Sequence, residues 1–531
     1  MTTNNQTRVD VQTDRPNEVA PSNTTPVDPK IHSRLPRGFD VLPTSSFKSG
    51  RFGRMFRNLP VFEHQPDDLA ALAAKVTDQG GAPLAENPDI PAGYTYLGQF
   101  IDHDITFDPV SSLQRQNDPD SLHDFRTPRF DLDSVYGSGP SDQPYLYVQS
   151  NGVTKFRLGE EVGVVPDVAS GRGPDLPRNE PRQNPDGTDN FFGRALIGDP
   201  RNDENILISQ LHLTMLQFHN NVTDVVAQTT PFTGDNLFKE AQRLVRWHYQ
   251  WIVINDFLPK VVGKDVIDDI LRHESYAVGG GQAVEIIRPR FLFYHPGREP
   301  YIPVEFSVAA YRFGHSMIRP SYHINAFVKG ARSDQPIPIF GPELPPDDEL
   351  ENLNGFRRLP PQWAVEWEFL FDFPGSEVQP LSTMAIDAHL SDPLASLPSA
   401  VASDPPPSLA ERNLLRGLRL SLPSGTSVSN AMGIGPMTPE ELGISDLSGD
   451  LQLHPPLWYY ILKESEVRAQ GKRLGPVGGR IVAEVLLGLA AGDPLSYLRV
   501  EPNFQPMKPM ARDDGSFDMA QLIRFAKQPA V

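Results

Sequence analysis

Four short stretches of the chain carry residues that could do chemistry. In Tyr96-Leu97-Gly98-Gln99-Phe100-Ile101-Asp102-His103-Asp104, the residues Gln99, Asp102 and His103 stand at i, i+3 and i+4, so a helix sets an amide, a carboxylate and an imidazole on one face. Such a trio can take and return a proton, and it can equally be the polar stripe of an amphipathic helix. Arg201 and Glu204, three apart after Gly198-Asp199-Pro200, share a face in the same way. A solvated surface ion pair is the plain alternative there. The third stretch, Ala310 to Pro320, sets His315 in an apolar run beside Gly314, which would let something flat come close. In the fourth, Arg412-Asn413-Leu414-Leu415-Arg416-Gly417, an amide and a guanidinium lie three apart. Each stretch is ambiguous by itself.

Together and in this order, the four stretches resemble the active site of the animal-type haem peroxidases, the peroxidase–cyclooxygenase superfamily, and its bacterial members in particular. The Gly-Gln-Phe-Ile-Asp-His-Asp run is similar to that family's distal signature. Gly198 to Asn220 is similar to its distal-arginine helix, and Tyr311-Arg312-Phe313-Gly314-His315-Ser316-Met317-Ile318-Arg319-Pro320 to its proximal helix. Further matches are Asp131-Leu132-Asp133-Ser134-Val135-Tyr136-Gly137, Leu457-Trp458-Tyr459-Tyr460 and Leu474 to Val482. Matches in one order from about residue 50 to 500 say far more than any single motif.

The resemblance implies a haem peroxidase that uses hydrogen peroxide to form a ferryl intermediate and then oxidises small donors: halides (iodide, bromide), thiocyanate and phenols. His315 becomes the ligand of the haem iron, with Asn413 accepting from its other ring nitrogen. Arg312 and Arg416 fall where haem propionates are expected. His103 becomes the general base, Arg201 stabilises the charge that develops as the O–O bond breaks, and Gln99 bonds distal water or a halide. Asp102 and Glu204 match the carboxylates that become ester-linked to haem b in this family, while Asn205 stands where one branch has a methionine sulfonium link.

Asp104 adjoins the distal histidine. Thr127, Asp131 and Asp133 lie in a loop whose alternate residues can turn oxygens inward, Arg129 adding its carbonyl. All-oxygen ligation with several carboxylates suits calcium, as in the family's calcium loop. The nearest rival is a fatty-acid oxygenase of the same superfamily, which places a radical tyrosine three residues before the proximal histidine. Arg312 holds that position here, and Tyr311 lies about 100° round an α-helix from it. A non-catalytic haem-binding module is a third reading, opposed by the presence of both His103 and Arg201.

The elements that must position these residues read as mainly α. The fold expected is a single large haem-peroxidase domain over 46–531, with long irregular Pro-rich loops and little β, behind a flexible polar extension at 1–45. Apolar periodicity predicts helices over Leu69 to Val76, Pro200 to Val226, Phe238 to Leu258, Ser307 to Arg319, Leu409 to Arg419, Pro456 to Glu466 and Gly479 to Ala491. Asp199 reads as the N-cap of the second, with Pro200 at its first position. The 54 Pro and 41 Gly put irregular connections between them, notably at 163–197, 335–363 and 390–408. His212, His219, His248 and His295 read as packing or capping residues, and Gly279 to Gly281 lack the strand-then-helix setting of a phosphate loop.

Composition removes other chemistry. With no Cys among 531 residues there are no disulfides, no disulfide-linked partner, no thiolate metal ligands and no thiol nucleophile, so His, Asp and Glu must carry any metal. A net charge of −19 makes nucleic acid and anionic membrane poor partners. No run approaches a transmembrane helix, and Met1 to Lys30 lacks the apolar core of a signal peptide. The expectation is a soluble protein, cytoplasmic or exported by a non-classical route, with a role in the response to oxidative stress.

Overall fold

The longest apolar-periodic segment folds in the computed structural model as a 24-residue helix, Ile206–Thr229, buried on nearly every side. It packs against Gly93–Ile105, Gly234–Ile252 and Met519–Ala526, and these helices frame the centre of the molecule. A helix surrounded in this way cannot be amphipathic in the usual sense, and its polar residues are satisfied internally. Asn221 Nδ2, for example, donates to Phe525 O at 2.9 Å. The structure describes residues 50–528 apart from 78–83, 109–112, 115, 162–168, 180–192, 278–282, 298–299, 329–335, 342–351, 400 and 403. The extension expected over 1–45, the glycines at 279–281 and parts of the Pro-rich insertions lie outside the described residues.

Helix dominates, and strands form only two- and three-stranded sheets among the described residues. The most extended pairing is antiparallel, Leu271–Ala277 with Ala283–Pro289. No described helix is long and apolar enough to cross a membrane.

Most expected helices form with shifted ends. The first runs Pro66–Thr77, and Leu409–Arg419 has the bounds expected, with Ser408 Oγ accepting from Glu411 N. Pro476–Gly492 starts before Gly479 because the buried Glu464 carboxylate accepts from Val477 N at 2.8 Å, satisfying a donor of the first turn. Gly234–Ile252 passes through a π turn, Val253–Phe257, into Leu258–Val262.

Two differences bear on chemistry. The helix expected from Pro200 is divided: Pro200–Asp203 is a 3₁₀ turn capped by Asp199, and the α-helix begins at Ile206 with Asn205 as its N-cap. Ile206 N donates to Leu353 O at 2.9 Å and Gly355 N to Glu204 O at 3.0 Å, so a crossing segment takes the backbone groups that would have joined the two. Ser307 to Arg319 is not an α-helix either. A π turn, Glu305–Ala309, leads into a 3₁₀ turn, Ala310–His315. With three residues per turn, Arg312 and His315 eclipse one another, so both side chains leave the same side.

Candidate active site

His103 is 5% exposed, and its neighbours fix it. Nδ1 lies 2.8 Å from Asn202 Oδ1, so with the amide in this orientation the ring proton sits on Nδ1 and Nε2 keeps its lone pair. Asn202 Nδ2 in turn donates to His212 Nδ1 at 3.0 Å, and both residues are fully buried. Burial, and then the charge of Arg201, hold the His103 imidazole down to about 3, so it is neutral and able to accept a proton across the working pH range.

Nε2 of His103 faces Glu204 Oε1 at 3.7 Å, an approach rather than an ion pair while the imidazole is neutral. Gln99 Nε2 donates to the same oxygen, and Gln99 Oε1 accepts from Asn205 Nδ2 at 3.3 Å. Burial pushes the Glu204 carboxyl up to about 7. Its side chain still keeps 34% of its surface accessible although protein closes around it, which places it on the wall of an internal hollow. Asp102, Arg312 and His315 show the same combination, and a Cβ added at Gly314 would meet nothing within 4 Å. Burial likewise raises the Asp102 carboxyl, whose Oδ1 accepts from Thr106 Oγ1 at 3.0 Å.

Arg201 has a task the sequence did not suggest. Its Nη2 donates to His103 O at 3.0 Å and Thr106 O at 2.7 Å, clamping the end of the Gly93–Ile105 helix, and its guanidinium lies over Phe107 at 4.5 Å. Nη2 also pairs with Asp199 at 2.9 Å, and Asp199 binds Arg126. Burial works against the Asp199 charge, but Arg126 and Arg201 hold its carboxyl far below the usual range. The charge of Arg201 also reaches His103, Asp102 and Glu204.

Across the hollow, His315 Nδ1 lies 2.9 Å from Asn413 Nδ2, while Asn413 Oδ1 accepts from Arg312 Nη1 at 2.9 Å. The amide nitrogen, not the oxygen anticipated, faces the ring because Arg312 takes the oxygen. His315 is held down to about 3 by burial and then by Arg312. Arg312 itself falls to about 10 through burial and the nearness of Arg416, a crowding of positive charge that an anionic group would relieve. Arg416 lies 3.9 Å from Asp108.

Haem fits this donor set: one imidazole with a ring nitrogen tied down, open space beside Gly314, and two crowded guanidiniums where carboxylates would sit. Tyr311 points elsewhere. Its hydroxyl donates to Gly98 O at 3.2 Å and its ring stacks on Phe306 at 4.7 Å. A backbone carbonyl cannot take a phenolic proton, so the residue is poorly placed to become a radical.

The acidic loop closes behind His103. Carboxylate oxygens of Asp104, Asp131 and Asp133 lie within 4.8 Å of one another, all buried. Burial, then Asp131 and Asp133, drive the Asp104 carboxyl well up, the consequence of crowding three buried carboxylates. Thr127 Oγ1 donates to Asp131 Oδ2 at 2.9 Å, and Ser134, which the sequence reading omitted, donates to Asp104 Oδ1 at 3.2 Å. Leu132 adopts φ 56°, turning the loop so that carboxylates on both sides of it face inward. A calcium ion suits this all-oxygen set. The loop also touches the Arg201 turn. A Cβ at Gly198 would lie 2.5 Å from Ser134 O, so only glycine permits this approach.

A model of the animal haem peroxidase family matches residues 113–352, a stretch that holds the acidic loop, Arg201, Glu204 and His315. Over this stretch the chain is similar to that family. Gln99, Asp102, His103 and Asn413 lie outside the matched stretch, and the fold brings Gln99 to Glu204, His103 to Asn202 and Asn413 to Arg312. The "Peroxidase-like protein" of Margaritifera margaritifera is 35% identical over 128 residues, covering 23% of this chain and 14% of that protein. "Peroxidasin homolog pxn-2" of Caenorhabditis elegans is 25% identical over 255 residues, covering 48% and 16%. The chain therefore spans a small part of the length of these relatives.

Among solved structures, Peroxidase A from Dictyostelium discoideum shares the fold with TM-score 0.53 at 16% identity, over 90% of this chain and 92% of that one. The fatty acid alpha-dioxygenase of Oryza sativa does so with TM-score 0.52 at 13%, over 88% and 78%.

The residues named from the sequence gather in two groups. His103, Gln99, Asp102, Glu204 and Arg201 form one, and His315, Asn413, Arg312 and Arg416 the other. Asn202, His212, Asp199 and Arg126 complete the first. Asn202 follows Arg201 directly, but nothing in a sequence tells which polar neighbour turns inward. His212 had been read as a packing residue; it is buried and also orients Asn202.

Proposed function

We propose that the chain is a peroxidase that uses hydrogen peroxide to oxidise small donors at a haem b held by His315. The observation that carries this reading is His103, neutral and with Nε2 facing Glu204 without a hydrogen bond, on a helix whose Asp102 feels the charge of Arg312 from the turn that bears His315. Bound there, haem would supply the iron that takes oxygen from peroxide and passes oxidising power to a donor. His103 Nε2 takes the proton from the near oxygen of hydrogen peroxide and returns it to the far oxygen, which leaves as water. Arg201 offsets the negative charge that grows on that far oxygen. Gln99 and Glu204 position water or a halide near Nε2. For His315 to bind through Nε2, Nδ1 must carry the ring proton. A half-turn of the Asn413 amide then presents its oxygen to the ring and frees Arg312 Nη1 for a propionate, beside Arg416.

Asp102 and Glu204 are the proposed ester links. A free Glu204 carboxyl titrates near 7, whereas an ester has no proton to lose. The haem spectrum is therefore expected to show an inflection near pH 7 before peroxide cycling and none afterwards, when haem also resists acid–acetone extraction. An inflection that persists while haem extracts freely would reject the esters.

Calcium is the proposed ion of Asp104, Asp131 and Asp133, with Thr127 and the Arg129 carbonyl completing its ligands. Chelation is expected to lower the melting temperature and perturb the haem spectrum together. Asp104 adjoins His103, and Asp133 is joined to Arg201 through Arg126, 3.4 Å away, and Asp199. Loss of calcium with no change in either readout would separate the loop from the site.

Iodide, bromide, thiocyanate and phenols are the proposed donors, in the service of peroxide removal. Chloride should be poor near neutral pH, because Asn205 cannot form the electron-withdrawing sulfonium link and its side chain serves as helix cap and partner of Gln99. Monochlorodimedone halogenation with equal chloride and bromide tests this: bromide should dominate, and equal turnover would refute it. The oxygenase reading predicts oxygen uptake with linoleate, which the place of Tyr311 argues against.

A further inference from the structure

Arg129 belongs to the acidic loop by its backbone, yet its side chain lines a separate cavity of about 20 Å³. The residue is 4% exposed, and its Nε has no hydrogen-bond partner among the described residues. An unmatched charged donor in a buried site is strongly unfavourable. Neighbouring polar groups on the wall are already engaged. Arg246 Nε donates to Asp131 O at 2.5 Å, and Trp247 Nε1 to Leu495 O at 3.0 Å. Gln250 donates to Phe130 O at 3.1 Å and accepts from Tyr497 N at 3.1 Å. Asp493 Oδ1 accepts from Leu495 N at 3.0 Å. Arg243, also on the wall, has its own partner in Glu240 at 2.6 Å.

The charges do not balance. Asp131 and Asp493 both line the cavity and both feel Arg129 and Arg246, but with Asp131 committed with Asp104 and Asp133 to calcium, Asp493 is the carboxylate left to the two guanidiniums. We infer that one monovalent anion, a halide of the size of chloride or bromide, occupies this cavity and ties Arg129 to Arg246. The count rests on the calcium reading, while the unpartnered Arg129 Nε does not. The volume suits a single small occupant. A water molecule would fit, but it brings no charge and two protons, for which Asp493 is the acceptor left on the wall. A halide accepts from both guanidiniums. Because Arg129 lies in the loop and Arg246 holds its Asp131 carbonyl, the anion also shields the calcium ion from two positive charges. Halide should therefore slow calcium loss.

The test is diffraction from the haem-loaded protein crystallised in bromide, collected at the bromine edge, together with the rate of calcium loss to a chelator in chloride and in gluconate at equal ionic strength. The expected results are an anomalous peak between Arg129 and Arg246, and calcium loss about fivefold or more slower in chloride, the lower end of ordinary site-to-site coupling. Arg129→Met should remove the chloride effect, and the bromide peak in the unaltered protein decides the matter if that variant does not fold. A bromide peak without calcium at the carboxylates would keep the anion site and reject the calcium reading. Water alone in the cavity, or equal calcium loss in the two salts, would overturn the inference.

Discussion

Replacing His103 by alanine is expected to slow the reaction of the haem-loaded chain with hydrogen peroxide by about a hundredfold to ten-thousandfold, the range for losing a positioned acid–base group. Haem should stay bound, because the proposed iron ligand is His315 and not His103. The loss is large because no neighbour can replace the base. Asn202 has no basic atom, Gln99 is an amide, and Glu204 is the proposed partner of an ester, which leaves it no basic carboxylate. Stopped-flow absorbance measures the step directly. Asn202→Leu should produce a smaller loss with haem content unchanged, since it frees His103 Nδ1 without removing the ring. A His103→Ala protein that reacts as fast as the unaltered one would remove His103 from the mechanism.

His315→Ala should abolish stable haem incorporation. Burial holds the His315 imidazole down to about 3, leaving it neutral, the form a metal requires. The other buried histidines are tied up elsewhere. His219 Nδ1 lies 2.9 Å from the Tyr136 hydroxyl and His248 Nδ1 lies 2.7 Å from Leu244 O, while His212 serves Asn202. There is no Cys to substitute. His315→Gly supplied with free imidazole separates ligation from folding: haem uptake restored by imidazole supports the ligand role. A His315→Ala protein with an ordinary histidine-bound haem spectrum would contradict it.

Residue types and local spacing left His103, Arg201, Glu204, His315 and Asn413 ambiguous one by one, and their reading came from the resemblance that their short runs carry together in one order. The mainly helical fold was legible without it: apolar periodicity over Leu409–Arg419 reflects a face that packs inward wherever the helix is placed. What was not legible depends on distant crossings. The division of the Pro200 helix comes from backbone bonds to Leu353 and Gly355, about 150 residues on in sequence. The 3₁₀ turn that aligns Arg312 with His315 is imposed by tertiary context on a run that reads as α-helical. Asn202 and His212 became visible only when the Gly93–Ile105 helix was laid across Ile206–Thr229. Arg126, which joins the acidic loop to Asp199, sits in a connection with no pattern of its own.

The haem assignment is tested most directly by one absorbance spectrum, taken on the haem-loaded chain before and after stoichiometric hydrogen peroxide. The expected result is a Soret band typical of histidine-bound haem that shifts promptly on adding peroxide, as the proposed roles of His315 as ligand and His103 as base require. A chain that takes up no haem, or a Soret band that peroxide leaves in place, would contradict it.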